Sequence, residues 1–142
     1  MSREILFRGK RVDNGKWIEG FYAKSGDKIF ILVDNDFAFG YVVMKEVITK
    51  TVGQFTGLTD KNGKKIFEGD IIKSITLDTN TERLAVVGLG KFIDENNDDE
   101  YLGFYIEFDG FRTTITQLEM EEVKDRFEVI GNIHDNPEFL GE

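Results

Sequence analysis

Cysteine is absent from the 142 residues. This excludes disulfide staples, a thiol nucleophile and any zinc or iron–sulfur site built on thiolates, and it fits a reducing compartment. Histidine occurs once, at His134, so a cluster of imidazole ligands is excluded and a Ser-His-Asp triad would have to be centred there. Proline also occurs once, at Pro137, and no linker, repeat or low-complexity tract is visible. No apolar run approaches the ~18 residues that a membrane-spanning helix needs. The opening Met1-Ser2-Arg3-Glu4-Ile5-Leu6-Phe7-Arg8 is broken by charge, unlike a signal peptide.

What is present describes a globular chain. Hydrophobic residues make up 40%, with 13 Phe, 4 Tyr and 1 Trp, and charged residues 32%. That many aromatics require a core. A chain of this length buries roughly 68–70% of its unfolded surface, enough to fold without staples. The net charge is -9, unevenly spread. Residues 1–71 hold 12 Lys/Arg against 10 Asp/Glu, and residues 72–142 hold 6 against 17. The acidic second half opposes nonspecific binding to phosphate backbones. In the first half Arg3, Arg8, Lys10, Arg11 and Lys16 lie close together. They read as a sheet edge whose charges discourage aggregation, or as a basic patch beside Trp17.

The 15 glycines and many Asp/Asn pairs punctuate the chain at short intervals, with β-branched and aromatic runs between them. This rhythm predicts a mainly β protein with little helix. Phe104-Tyr105-Ile106-Glu107-Phe108 alternates, Asp109-Gly110 follows, and Phe111 to Ile115 completes a hairpin. Lys28 to Val33 is a continuous apolar run, expected to be buried on both faces or to lie at a subunit contact. Lys16 to Ala23 is a strand with Trp17, Phe21 and Ala23 on one face, and Ile71 to Leu77 and Arg83 to Val87 are further strands. Thr116-Gln117-Leu118-Glu119 has capping-box spacing, and Asn136-Pro137 reads as an N-cap before a single terminal turn.

Chemistry is harder to find. Asp94, Asn96 and Asp98 fit the first positions of a calcium loop, but Asp99 and Tyr105 stand where Gly and a bidentate Glu are required. The stretch 94–100 is therefore expected to be a solvated loop. Glu68 and Asp70 flank Gly69, and Asp70 reads as a turn residue that accepts backbone N–H groups. Gly53-Gln54-Phe55-Thr56-Gly57 lacks the Lys-Ser/Thr ending of a phosphate loop, and Gly88-Leu89-Gly90 lacks the third glycine of a dinucleotide fingerprint. Phe37, Phe39 and Tyr41 alternate along one strand face, a pattern of core, of an interface or of base stacking.

Three blocks carry a resemblance. Ile5-Leu6-Phe7-Arg8-Gly9-Lys10-Arg11 with Asn14 to Tyr22, the glycine-rich block Val52 to Ile72, and Phe127-Glu128-Val129-Ile130-Gly131-Asn132-Ile133-His134-Asp135-Asn136-Pro137-Glu138 together resemble the YopX-like proteins of phages and prophages. The resemblance implies an SH3-like barrel portion and supplies no catalytic residue. The expected architecture is an SH3-like small β-barrel over residues 52–142 with an N-terminal β-hairpin lobe over residues 1–51.

The expected function is a non-enzymatic protein-binding or assembly module in the cytoplasm of a bacterial host, with no cofactor, no metal and no membrane. It would form a homo-oligomer through Phe30, Phe37, Phe39 and Tyr41 and bind a host or phage protein. The alternative is a nucleic-acid-binding accessory protein using Arg8, Lys10, Arg11, Lys16 and Trp17. A hydrolase built on Glu68, Asp70 and His134 has the least behind it.

Overall fold

A computed structural model of the chain describes residues 4–33, 43–76, 81–94, 98–108, 110–114 and 126–141. The apolar row Phe37, Phe39 and Tyr41, and the segment 115–125 where a short helix is expected, lie outside the described residues. The recurrent turns and alternating runs produce antiparallel strands almost throughout. They are β1 (Phe7–Lys10), β2 (Trp17–Ser25), β3 (Lys28–Val33), β4 (Val43–Val47), β5 (Gly53–Thr59), β6 (Lys65–Phe67), β7 (Asp70–Thr76), β8 (Thr81–Ile93), β9 (Glu100–Phe108), β10 (Phe111–Thr114) and β11 (Phe127–Asn132). One sheet has the order β4-β3-β2-β1-β5-β6 and the other β10-β9-β8-β7-β11. No helix among the described residues is long and apolar enough to cross a membrane.

The chain divides into two units, residues 1–57 and 58–142. The first unit keeps the start of β5 because Phe7 and Arg8 pair with Gln54 and Gly53. Its meander β1-β2-β3-β4 curls until Arg11 bridges Val47, and the Ile48 amide donates to the Lys10 carbonyl at 2.8 Å. Ile29, Ile31 and Val47 form the core, with Phe7, Ile18 and Val52 packed against them. The run Lys28–Val33 is thus not buried on both faces. Ile29 and Ile31 point inward, while Phe30 and Leu32 stay partly exposed on the outer face.

The second unit is built on a five-stranded meander. Ile72, Ala85, Val87, Phe104, Ile106, Phe127 and Val129 form its core with Ile66 of β6, and Phe108 packs beside them. Each such side chain contributes about 1.5–3 kcal/mol on full burial. The hairpin expected at Asp109-Gly110 is present, with Phe108 opposite Phe111. β8 runs further than expected. Gly88, Leu89 and Gly90 continue the ladder, opposite Tyr105, Phe104 and Gly103. Gly88 is required because the Tyr105 ring occupies the place of a side chain: a Cβ there would stand 2.3 Å from Tyr105 Cζ. The ring then packs on Phe92 at 5.0 Å between centroids. The sheet is open: among the described residues no ladder joins β10 to β11.

Buried aspartates hold both edges of this sheet. Asp60 is 2% exposed. Its Oδ1 accepts the amides of Asn62 and Lys64, and its Oδ2 accepts the Val129 amide, each at 2.9 Å. Lys61 N–H donates to the Phe127 carbonyl at 3.0 Å, so the 60–64 loop lies along the outer edge of β11. Asp94 is fully buried, which corrects the expectation of a solvated loop at its position. Its Oδ2 accepts the Thr114 amide at 3.0 Å and the Thr113 hydroxyl at 3.1 Å on β10. A carboxylate with one β10 amide and one hydroxyl to satisfy is kept out of solvent by those bonds.

Asp60→Ala leaves three backbone amides without their acceptor. It is expected to lower stability by about 3 kcal/mol in urea unfolding. The exposed neighbour change Asn62→Ala is expected to stay within about 0.5 kcal/mol. A loss below about 1 kcal/mol for Asp60→Ala would contradict the assignment.

Candidate functional site: an apolar sheet face in the first unit

The blocks that stand out in the sequence are mostly occupied with turns. Asp70 is buried and its Oδ2 accepts the Phe67 amide at 2.7 Å, so the turn reading of Glu68-Gly69-Asp70 holds. In the closing block Asn132 is buried, and its Oδ1 accepts the amides of His134 and Asp135 at 3.0 and 2.9 Å. Asn136 does not cap the terminal 3₁₀ turn Pro137–Leu140 as expected. Its Oδ1 turns back to the Asn132 amide at 3.3 Å. This fold-back passes over Gly131, where a Cβ would stand 2.4 Å from Asn136 Oδ1.

The hydrolase residues share this corner at the level of backbone. The Ile133 amide donates to the Gly69 carbonyl at 2.9 Å, and Asn132 lies opposite Asp70 in the ladder. Asp70 nevertheless holds a buried amide, and His134 is half-buried in a turn. Among the described residues no group of three or more His, Cys, Asp or Glu side chains comes together to hold a metal ion.

A surface of different character covers the outside of the first sheet. Residues directly opposite in an antiparallel ladder share a face. Lys10 is opposite Trp17 and Arg8 is opposite Glu19. Phe21 is opposite Leu32, which is opposite Met44. Ala23 is opposite Phe30, which is opposite Glu46. These rows therefore lie on the face turned away from Ile29 and Ile31. Phe21 is 50% exposed and Met44 51%, while Trp17, Phe30 and Leu32 are partly buried. Apolar side chains that water could reach, gathered in adjacent rows, mark a surface made for contact.

Cations border it. The Arg8 guanidinium lies over the Trp17 ring at 4.6 Å, and Lys10 Nζ lies 5.8 Å from the same ring centre. Such contacts are worth about 0.5–1 kcal/mol at a surface. The fold thus brings Arg8, Lys10, Trp17 and Phe30 onto one face. Arg11 is elsewhere engaged: its Nη2 and Nε meet the Asp13 carboxylate at 2.6 and 2.9 Å. Lys16 sits in the exposed turn before β2, where its amide donates to Asn14 Oδ1. Phe21, Leu32 and Met44 were missed as surface residues. The strand β2 was visible, but only the ladder register shows that Leu32 and Met44 stand beside Phe21 rather than in the core.

Fold and face together define a small antiparallel β protein carrying an exposed apolar and aromatic sheet surface. The chain belongs to the YopX protein family, which matches residues 6–141. A crystal structure of protein EF1440 from Enterococcus faecalis is similar in fold. It is 23% identical, the match covers 98% of this chain and 99% of that one, and the TM-score is 0.54. No curated protein matches the chain.

The hydrogen bonds from Arg11, and then its charge, hold the Asp13 carboxyl below the ordinary aspartate range. Because the folded value is lowered, the pair's contribution is complete above the ordinary aspartate pKa and is lost as pH falls through the lowered one. NMR titration should find Asp13 displaced downward, and Arg11→Ala should return it upward. An unchanged Asp13 titration in Arg11→Ala would contradict the pairing.

Proposed function

We propose that this protein is a non-enzymatic protein-binding or assembly module, encoded by a phage or prophage and working in the cytoplasm of a bacterial host. The exposed rows Phe21–Leu32–Met44 and Ala23–Phe30 carry this reading, because large apolar side chains gathered on an outer sheet face are stabilised by a partner surface. A second copy of the chain is the partner we favour, giving a homo-oligomer that presents further surface to a host or phage protein. We read residues 52–142 as derived from an SH3-like barrel; the short strands and glycine-marked turns support that, and such small β folds commonly bind rather than catalyse.

A nucleic-acid-binding accessory role is the second reading, favoured by Arg8 and Lys10 gathered on Trp17. The net charge of -9 weighs against it.

Sedimentation velocity separates the two. The chain is expected to self-associate, and Phe30→Asp or Phe21→Asp to weaken that association at least tenfold, about 1.4 kcal/mol, with an unchanged circular dichroism spectrum. Equal mass for all three proteins across the accessible concentrations would remove the assembly reading. Single-stranded DNA binding that weakens with salt and with Arg8→Glu would put the second reading in its place.

A further inference from the structure

The second unit carries a cleft that neither the expected sites nor the proposed self-association uses. Its volume is about 410 Å³, and Leu84, Phe108, Phe139 and Leu140 supply its apolar lining. Leu84, Phe139 and Leu140 are exposed. That volume lies within the roughly 300–1,000 Å³ of typical ligand pockets. Two elements distant in sequence build it: the β8–β9 pair and the terminal 3₁₀ turn, which brings Phe139 and Leu140.

Charge decides what fits. Glu82 and Glu107 line the cleft with Arg83. The Arg83 guanidinium is laid over the Phe108 ring at 5.4 Å. Arg112 donates to Glu107 at 3.1 Å, and Lys73 stands 3.8 Å from Glu82 and 3.9 Å from Glu128. An anionic occupant would have to displace carboxylates already holding these cations. Across residues 58–142 the chain has 9 Lys/Arg and 20 Asp/Glu, a net of -11, against 9 and 7 in residues 1–57. A field of that sign repels nucleic acid and acidic proteins and draws in cationic ones.

We propose that the cleft is a docking site for a cationic segment of another protein, which inserts one or two large apolar side chains between flanking lysines or arginines. The apolar anchor supplies affinity in the lining, and the flanking cations supply orientation against Glu82 and the surrounding acidic unit. The site is independent of the outer face of the first sheet.

The test uses the full chain and fluorescence anisotropy of a fluorescein-labelled hexapeptide with a Phe-Leu centre and two lysines on each side. Binding is expected, and at least fivefold weaker binding is expected with Leu140→Asp and with Leu84→Asp. Leu140 lies on the terminal turn outside the sheets, so its variant keeps the fold. Phe30→Asp, on the other unit, should bind as the unmodified chain does, which separates failure here from failure of the assembly reading. Peptides with serines at the centre, or with glutamates in place of the lysines, should bind at least fivefold more weakly. Absence of binding, equal binding of the serine-centred peptide, or indifference to both cleft substitutions would overturn the proposal. Peptide affinity that falls as protein concentration rises would also overturn it, because the occupant would then be a second copy.

Discussion

Three amides from two parts of the chain converge on the carboxylate of Asp60, and the second unit depends on that convergence. Asn62 and Lys64 are local, so their bonds shape the loop; Val129 is far away in sequence, so its bond fixes the loop against β11. A buried carboxylate is costly unless its oxygens are satisfied, and here both accept backbone donors. The same solution recurs with Asp70 at the β6–β7 turn and Asp94 at β10. A chain without disulfides closes its loops with carboxylate-to-amide bonds instead.

Those bonds have a consequence for binding. An open sheet has two edges, and an uncovered edge invites another strand. Here the 60–64 loop lies along β11 and Asp94 takes up an amide of β10. With its edges occupied, the second sheet is left to meet partners through faces and clefts. In the first unit the curl of β1 to β4 ends with Arg11 beside Val47, and the apolar rows around Phe21 and Phe30 remain on the outside.

Much of the fold was legible because strand signals are local. The alternation at Phe104–Phe108 and the two-residue turn before Phe111 gave the β9–β10 hairpin, and the span of β3 was read from its β-branched and aromatic run. What escaped was non-local. Nothing near Asp94 in the sequence announces Thr113 and Thr114 as its partners, so an acidic stretch looked like solvated loop. Gly88 looked like a turn residue, because the Tyr105 ring that replaces its side chain arrives from the next strand. The outer face was half visible: Arg8, Lys10, Trp17 and Phe30 were singled out, but Leu32 and Met44 join them only through ladder register. The most distinctive motif residues, Asp60, Asp70, Gly131 and Asn132, proved to be architectural. A family signature made of such residues specifies a scaffold and leaves the chemistry of binding to less distinctive positions.

The central claim is that buried aspartates seal the sheet edges, so that recognition falls to the exposed faces. Amide hydrogen exchange followed by NMR tests it most directly. The account predicts that the Val129 and Thr114 amides, although on edge strands, exchange as slowly as the core amides of β7 and β8. Exchange of both at the rate of solvent-exposed amides, in an otherwise protected sheet, would contradict it.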